Sequence, residues 1–354
     1  MKKNQLVILV ALVVILLGVA GVIYQQDQRQ VDSVASSDLF LPDLAAVINE
    51  VNQIKVASAN DENLSLSLVD GEWRVTSAAN YYADFGEIKS VLSELAQVKL
   101  KEKKTNRPEN HSKLGVEDLA NAASDSNALQ LTLASDSKVV ADVILGNYGL
   151  NKAGRYARIV GDDQVWLLSS QVRTPATKED WMSRQIIDVA ASDVTEVSVR
   201  HADEPAYVIH RAEGSGADFS LVDIPEGKEA AEQWKINQMG GLLDNLYLNN
   251  VVAAEKFSLP EPHNQLVFKT KELARIEVKH AKGAEDGVYY ITLDVSALPD
   301  ASAEQQAAVE AMQKRTKGWV YAIDGVKGDI FARDLAMLVT DVAKEAPESD
   351  GAGE

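Results

Sequence analysis

The sequence predicts an α+β protein, in which an N-terminal transmembrane helix precedes two similar units built mainly from antiparallel sheet with a helix. Three observations predict this class. Residues 6–23 form a continuous apolar run. Alternating apolar and polar residues then indicate strands, and turn signals such as Asp70-Gly71 are typical of antiparallel hairpins. The order strand, strand, helix, strands occurs twice, in residues 46–185 and in residues 192–343.

The apolar run is the first element of the chain. Its 18 residues, LVILVALVVILLGVAGVI, contain no charge. A helix of this length spans about 27 Å, enough to cross a thin hydrocarbon core. Lys2 and Lys3 precede it, which favours a cytoplasmic N-terminus. We therefore expect a single-pass membrane protein whose bulk is extracytoplasmic, with residues 1–24 as cytoplasmic stub and anchor and residues 25–45 as a stalk.

A cleaved signal peptide is the alternative interpretation of this run. A signal sequence has a shorter apolar region that ends at small residues before a polar break. Here Val19-Ala20-Gly21 is followed by further apolar residues rather than by such a break. The sequence therefore favours an uncleaved anchor, and both interpretations place the rest of the chain outside the cytoplasm.

Composition restricts the partners and the chemistry. The 354 residues include 53 acidic and 35 basic side chains, for a net charge of −18. A charge of that sign repels nucleic acid, which is therefore not an expected partner. The chain contains no cysteine, so disulfides, thiol catalysis, thiolate metal sites and a cysteine-linked lipid are excluded. The folded part must be stabilised by its own core, for which the length suits two domains.

The first unit begins with alternating strands and continues with a capped helix. Strands are predicted at residues 51–57, at Leu64 to Leu68 and around Trp73 and Val75. Asp84 followed by Glu87 forms a capping-box pattern at a helix start. The helix carries apolar residues at helical spacing: Ile88, Val91, Leu92, Leu95 and Val98. Further strands are expected at residues 129–133, 139–145, 156–160 and 165–168.

The second unit repeats this order. Strands are predicted at residues 194–199, at Tyr207 and Ile209 and at Phe219 and Leu221. We expect Trp234 and Ile236 on a strand that corresponds to the one bearing Trp73, and Asn237 as the cap of a helix that extends to Leu248. The later strands are predicted at residues 265–270, 274–280, 288–293 and 319–323.

Three segments depart from the repeat. Residues 101–126 form a polar connection with a basic start. A basic cluster spans this start and the end of the preceding helix: Lys99, Lys101, Lys103, Lys104 and Arg107. We interpret this cluster as the solvated end of the preceding helix, since cations favour helix C-termini; docking of an acidic partner is the alternative. Residues 299–315 predict an inserted helix capped by Ser302 and Gln305. Residues 344–354 are expected to be a disordered acidic tail.

A search for catalytic and metal-binding patterns predicts neither. His201 and His210 flank a turn and could meet across a hairpin, but Asp203 and Glu204 are the only acids nearby, too few for a metal site. We expect the histidines on strand surfaces. No nucleophile elbow, phosphate-binding loop or dinucleotide motif occurs. Residues 61–63 lack the spacing of a calcium loop. The sequence therefore predicts no catalytic residue, no cofactor-binding residue, no cofactor and no metal ligand.

Aromatic residues offer one binding hypothesis. The five tryptophans are expected in the core, on apolar strand faces: Trp73, Trp166, Trp181, Trp234 and Trp319. Tyrosines could instead line an exposed groove between the repeats, which would suit a periplasmic small molecule or glycan. The candidates are Tyr81, Tyr82, Tyr148 and Tyr156.

A set of short motifs, taken together with the N-terminal span, resembles a known family. In chain order they are Gly71-Glu72-Trp73-Arg74-Val75, Tyr82-Ala83-Asp84, Lys113-Leu114-Gly115-Val116, Leu145-Gly146-Asn147, Arg155-Tyr156-Ala157-Arg158 and Asp180-Trp181. This order resembles the bacterial family called domain of unknown function 4340, over residues 51–199. The resemblance implies a membrane-anchored extracytoplasmic protein that accompanies an ABC-type transporter, and it supplies no catalytic residues.

We therefore expect a non-enzymatic, membrane-anchored periplasmic accessory or scaffold protein. Its partner would be a protein of the inner membrane or periplasm, with an ABC permease as the candidate that the resemblance implies. A periplasmic binding module for a small molecule or glycan is the alternative, and an envelope hydrolase with an unrecognised site is a third hypothesis.

Overall fold

The structure, a computed structural model, describes residues 38–59, 63–136, 138–175, 177–202, 204–211, 216 and 218–342. The predicted anchor, most of the stalk and the acidic tail lie outside the described residues. Within these ranges no helix has the length and apolar character needed to cross a membrane. The chain divides into two compact units, with the boundary between Met182 and Ser183.

The helices are short except for two. They are α1 (Leu44–Val47), α2 (Phe85–Gln97), α3 (His111–Leu114), α4 (Lys178–Trp181), α5 (Gln233–Gly240), α6 (Ala303–Thr316) and α7 (Gly325–Phe331).

The first unit contains a nine-stranded sheet. Its strands are β1 (Gln53–Ser58), β2 (Leu64–Val69), β3 (Glu72–Val75), β4 (Tyr81–Tyr82), β5 (Leu100–Lys103), β6 (Leu129–Ser135), β7 (Lys138–Tyr148), β8 (Arg155–Ile159) and β9 (Val165–Leu168). They are arranged in the order β4-β3-β2-β1-β6-β7-β8-β9-β5.

The second unit contains an eight-stranded sheet and two small ones. Its strands are β10 (Gln185–Ile187), β11 (Val194–Arg200), β12 (Tyr207–His210), β13 (Ser220–Leu221), β14 (Lys228–Ala230), β15 (Leu246–Tyr247), β16 (Asn250–Ala253), β17 (Asn264–Thr270), β18 (Ala274–Lys282), β19 (Tyr289–Ala297), β20 (Trp319–Ile323) and β21 (Val339–Asp341). The large sheet has the order β13-β12-β11-β17-β18-β19-β20-β16, while β10 pairs with β15 and β14 with β21.

The two large sheets follow one order. In each, three consecutive strands form one side, four later consecutive strands form the other, and a strand that follows the helix pairs with the last of them. The first sheet has β4 as an additional strand at its edge. Strands pair antiparallel throughout the described residues. The predicted α+β class with mainly antiparallel sheet is therefore confirmed.

Local signals located the longest helices correctly. Helix α2 begins after Asp84, whose carboxylate accepts a hydrogen bond of 3.1 Å from the amide of Glu87. Its apolar face is buried, as the spacing predicted: Ile88, Val91, Leu92 and Leu95. The inserted helix α6 begins at a full capping box between Ser302 and Gln305. Both starts depend on contacts within four residues, which a sequence can encode alone.

Two predictions about local structure were wrong. Helix α5 contains Trp234 and Ile236, which were expected on a strand. It also contains Asn237, which was expected as the helix cap. The side-chain oxygen of Asn237 instead accepts a hydrogen bond from the backbone N–H of Phe219, a long-range contact that competes with local capping. The basic cluster is not a helix end, because α2 ends at Gln97 and the lysines continue onto edge strand β5.

Candidate functional site

Three of the short motifs meet in space in the first unit. A Cβ on Gly146 would lie 2.3 Å from the carbonyl oxygen of Leu114, so only glycine allows this approach. Arg155 Nε donates a hydrogen bond to the carbonyl oxygen of Gly146, and Arg158 Nε donates one to that of Val116, both at 2.9 Å. We name residues 113–116, 145–147 and 155–158 the motif cluster.

Arg155 is the most unusual residue of the motif cluster. It begins β8 and is only 6% exposed. Its Nη1 donates to the carbonyl oxygen of Val172 at 2.9 Å, and its guanidinium carbon lies 5.2 Å from the ring centre of Tyr148. Burial lowers the pKa of Arg155 from its ordinary value, while Tyr148 and Glu94 act in the opposite direction. Within the described part of the chain it forms no ion pair.

Arg158, three residues later, provides the comparison. Its side chain is 3% exposed, yet it forms an ion pair with the carboxylate of Asp118. Its Nη1 also donates to the carbonyl oxygen of Asp162 at 3.1 Å. Both arginines are buried in the same strand. Arg158 is neutralised by the carboxylate of Asp118, whereas Arg155 forms no ion pair with the described residues.

The chain next to Arg155 follows a strained path. Val172 is fully buried and has a φ of 39°, a conformation that β-branched residues rarely adopt. Its amide donates to Glu94 Oε1 at 3.0 Å. The same carboxylate accepts hydrogen bonds from the hydroxyl of Ser170 and the amide of Arg173. Glu94 and Arg155 thus hold the backbone of Val172 from its two sides.

A cavity of about 420 Å³ opens beside these groups. Its polar lining includes Ser126, Asn127, Asn147, Tyr148, Arg155 and Thr174. Arg155 is the one cation among the described lining residues, and carboxylates are absent from that lining. In a protein of net charge −18, such a cavity is a local positive region that can attract an anion.

The four candidate tyrosines differ in their exposure. Tyr81 and Tyr82 are buried, at 1% and 6% exposure. Tyr156 packs partly buried against a core cluster that includes Val116. Tyr148 is exposed and is the one candidate that lines the cavity around Arg155. The four tyrosines therefore do not form one exposed surface.

The prediction that the tryptophans lie in the core is correct only in part. Trp181 is fully buried, as expected, and its indole N–H donates to the carbonyl oxygen of Pro175 at 3.0 Å. Trp234 is 54% exposed, so the expectation that it packs in the core was wrong. On helix α5 it lies close to two cationic side chains, Lys235 and Arg333, rather than on an apolar strand face.

The histidine expectations also need correction. His111, His201 and His280 are buried rather than on strand surfaces. His201 and His210 do not meet across the hairpin, because strand register places His210 opposite Glu196. Asp203 lies outside the described residues. In the described ranges, acidic, histidine and cysteine side chains do not form a group that could hold a metal ion.

In the second large sheet, β19 holds the place in the strand order that β8 holds in the first, and its chemistry is different. Tyr289 begins β19, and its hydroxyl donates to the carboxylate of Asp329. His280 stacks between the rings of Tyr289 and Phe331, at centroid distances of 5.2 and 5.5 Å. Burial lowers the pKa of His280 to about 4. This group carries the carboxylate of Asp329 rather than a cation, so the arrangement around Arg155 is not repeated at this strand.

A family model described as domain of unknown function 4340 matches residues 73–265, which include the whole motif cluster. The chain belongs to this family. No curated protein and no solved structure gives a significant match. For this member of the DUF4340 family, the matched region covers the motif cluster with Arg155 and the first strands of the second unit.

In the sequence, Arg155 belongs to one of the family motifs, but no functional role was predicted for it. One signal could have identified it. In β8, Arg155 and Ala157 lie on the same face because side chains alternate along a strand, and both are buried. A charged residue at an inward-facing strand position requires a counter-ion or a polar network.

Proposed function

We propose that this DUF4340 protein is a non-enzymatic accessory subunit held in the bacterial inner membrane. The observation that carries the proposal is the uncharged run of residues 6–23 directly after Lys2 and Lys3. A run of this length suits a single span, and the two lysines favour a cytoplasmic N-terminus. Both folded units then face the periplasm, where their lack of cysteine is no obstacle to stability because each has its own core.

The two units are, in this proposal, copies of one repeat. The common strand order of the two large sheets supports it, since their strands correspond one by one except for the extra edge strand β4. Copies with different inner residues allow different roles. The first unit has a cavity lined by Arg155, and the second has His280 packed between the rings of Tyr289 and Phe331.

The partner that we propose is an inner-membrane protein, with an ABC-type permease as the first candidate because the family resemblance implies one. Strand β5 ends the sheet of the first unit and carries Lys101 and Lys103 on exposed positions. Edge strands present unpaired backbone groups to a partner, and lysines on them discourage self-association. This edge is therefore a suitable surface for an acidic partner segment.

Membrane orientation can be tested directly because the chain has no cysteine. Single cysteines would be introduced as Asn4→Cys before the apolar run and as Val326→Cys, a position that is 74% exposed. A membrane-impermeant maleimide should label Val326→Cys in intact spheroplasts and Asn4→Cys only after lysis. Labelling of Asn4→Cys in intact spheroplasts, or protection of Val326→Cys there, would contradict the proposed orientation.

The accessory role needs a separate test. The full-length protein would be purified in mild detergent from its native membrane, next to a version that lacks residues 1–24. Stoichiometric recovery of an ABC permease with its ATPase, only with the anchored chain, is the expected result. Recovery of the anchored protein by itself would rule out a stable complex.

A second candidate function is a periplasmic binding module for a small molecule. The cavity around Arg155 favours it, because a buried cation that forms no ion pair with the described residues lines a space of small-molecule size. This function is compatible with the first, since a transporter accessory protein can also bind a ligand.

A further inference from the structure

We infer that the cavity beside Arg155 binds a small ligand through a carboxylate group, which supplies the missing counter-ion of the guanidinium. This inference rests on the second proposed function, ligand binding, and is independent of the membrane anchor and of any transporter partner.

Arg155 is a buried charge that forms no ion pair with the described residues. A buried charge is costly unless it is paired and hydrogen-bonded. Arg158 meets this requirement through Asp118. Glu94, the acid whose charge acts on Arg155, directs its carboxylate to Ser170, Val172 and Arg173 instead. An anion that enters the cavity from solution would complete the pairing.

Unused hydrogen-bonding groups line the same cavity. A guanidinium has five N–H groups, and Arg155 uses one on Nε and one on Nη1 for backbone carbonyls. Its Nη2 makes no hydrogen bond to the described residues. Asn127 and Asn147 hydrogen-bond each other through one amide nitrogen and one carbonyl oxygen. Such a pair leaves one NH₂ and one C=O for a ligand, whichever way the amides are oriented.

The size and charge of the cavity define the ligand class. A volume of about 420 Å³ suits a molecule of one or two small rings or an equivalent chain. The planar guanidinium fork matches a carboxylate, and a single cation balances a single negative charge. A phosphate dianion would need a second cation, which the described lining does not contain. The amide groups and the Tyr148 ring suit hydroxyl groups on the same ligand, as in a sugar acid.

One site per chain is expected. In the second unit the corresponding strand position holds Tyr289, whose hydroxyl is already bound to Asp329. A tyrosine that donates to a carboxylate has no charge to balance, so the repeat does not duplicate the anion site.

The test uses the purified full-length protein in detergent micelles. Calorimetric titration and thermal shift would be measured with glucuronate and acetate as carboxylate probes, and with glucose and inorganic phosphate as comparisons. We expect glucuronate to bind with a stoichiometry of one and to raise the melting temperature, acetate to bind more weakly, and glucose not to bind.

Three variants connect binding to the site. Asn147→Asp keeps the shape and the acceptor for Asn127 but adds a negative charge, and it should weaken glucuronate binding at least roughly tenfold, equivalent to a 1.4 kcal/mol change. Arg155→Gln should abolish binding. Arg74→Gln, which changes an arginine of the same unit that pairs with Glu72 outside the cavity, should leave binding unchanged.

Several results would overturn the inference. Absence of binding for both carboxylates, or equal binding by the wild type and Asn147→Asp, would exclude this cavity as a carboxylate site. Tighter binding of phosphate than of glucuronate would exclude the carboxylate class. If Arg155→Gln fails to fold, Asn147→Asp still decides, because it retains both backbone hydrogen bonds of Arg155. None of these results bears on the complex with a permease, which the affinity purification tests separately.

Discussion

Arg155 donates a hydrogen bond of 2.9 Å to the carbonyl oxygen of Val172, a buried β-branched residue with a φ of 39°. Backbone strain of this kind costs about 1–3 kcal/mol and persists only where surrounding contacts impose it. Here Glu94 binds the amide of the same residue. An acid and a base on different elements thus fix the segment that borders the cationic cavity.

Replacing Glu94 should destabilise the first unit. Glu94→Ala removes the acceptor for the Ser170 hydroxyl and two backbone amides, and hydrogen bonds to a charged group contribute about 1.5–3 kcal/mol each at most. We expect a loss of about 2 kcal/mol in the free energy of unfolding, measured by urea denaturation. Lys89→Ala, at an exposed position of the same helix, is the control and should change stability by less than about 0.5 kcal/mol. Equal effects of the two changes would show that the carboxylate does not fix this segment.

The close approach within the motif cluster should tolerate only glycine at residue 146. In Gly146→Ala the new methyl would overlap the carbonyl oxygens of Leu114 and Gly115, so the backbone must move. We expect the free energy of unfolding to fall by about 3 kcal/mol or more, or the protein to fail to fold, as judged by thermal denaturation. Gly241→Ala is the matched change, because its Cβ would meet neighbours at 3.7 Å, an ordinary contact. A wild-type melting temperature for Gly146→Ala would refute the tight packing of the cluster.

The stability of the second unit should depend on pH through His280. Burial lowers the pKa of its imidazole to about 4, below the ordinary value near 6.5. As the pH falls, the imidazole is therefore protonated in the unfolded chain at a higher pH than in the folded chain. The contribution of neutral His280 to the free energy of unfolding is fully present above pH 6.5 and is lost progressively towards pH 4, by about 3 kcal/mol in total.

Variants can assign this pH dependence to one residue. His280→Phe should flatten the fall in unfolding free energy between pH 6.5 and pH 4, because a phenyl ring fits between Tyr289 and Phe331 without a proton to bind. His210→Phe, at a half-buried position of β12, retains His280 and should retain the fall. A slope that survives His280→Phe would assign the pH dependence to other groups.

The cap of helix α2 allows a conservative test. Asp84→Ala removes the acceptor for the amide of Glu87 and should cost about 1 kcal/mol. Asp84→Asn keeps an acceptor oxygen and removes the charge that, with burial, raises the pKa of Glu87. We expect Asp84→Asn to leave the free energy of unfolding nearly unchanged, as measured by urea denaturation. A large loss with Asn would mean that the charge, and not the cap, stabilises this helix start.

Most strands were predictable from the sequence because their evidence is local. Residues 129–133 and 265–270 alternate between buried and more exposed positions as their sequences suggest. The errors fell where distant contacts override a local pattern. Asn237 looks like a helix cap, yet its side chain binds the backbone of Phe219 from inside helix α5. The basic cluster after Gln97 looks like a helix end, yet Lys101 and Lys103 belong to edge strand β5, which pairs with β9.

By itself the sequence determined the α+β class, most positions of the strands in the two large sheets, the caps at Asp84 and Ser302, and the family to which the chain belongs. Each of these follows from residues close together in the chain, where spacing and turn chemistry dominate. Only the tertiary structure decided that Arg155 is buried and forms no ion pair with a carboxylate of the described ranges. Its contacts come from segments up to 17 residues away, and the Glu94 that holds Val172 is 78 residues from it. Sheet register sets such distances, and no local pattern encodes them.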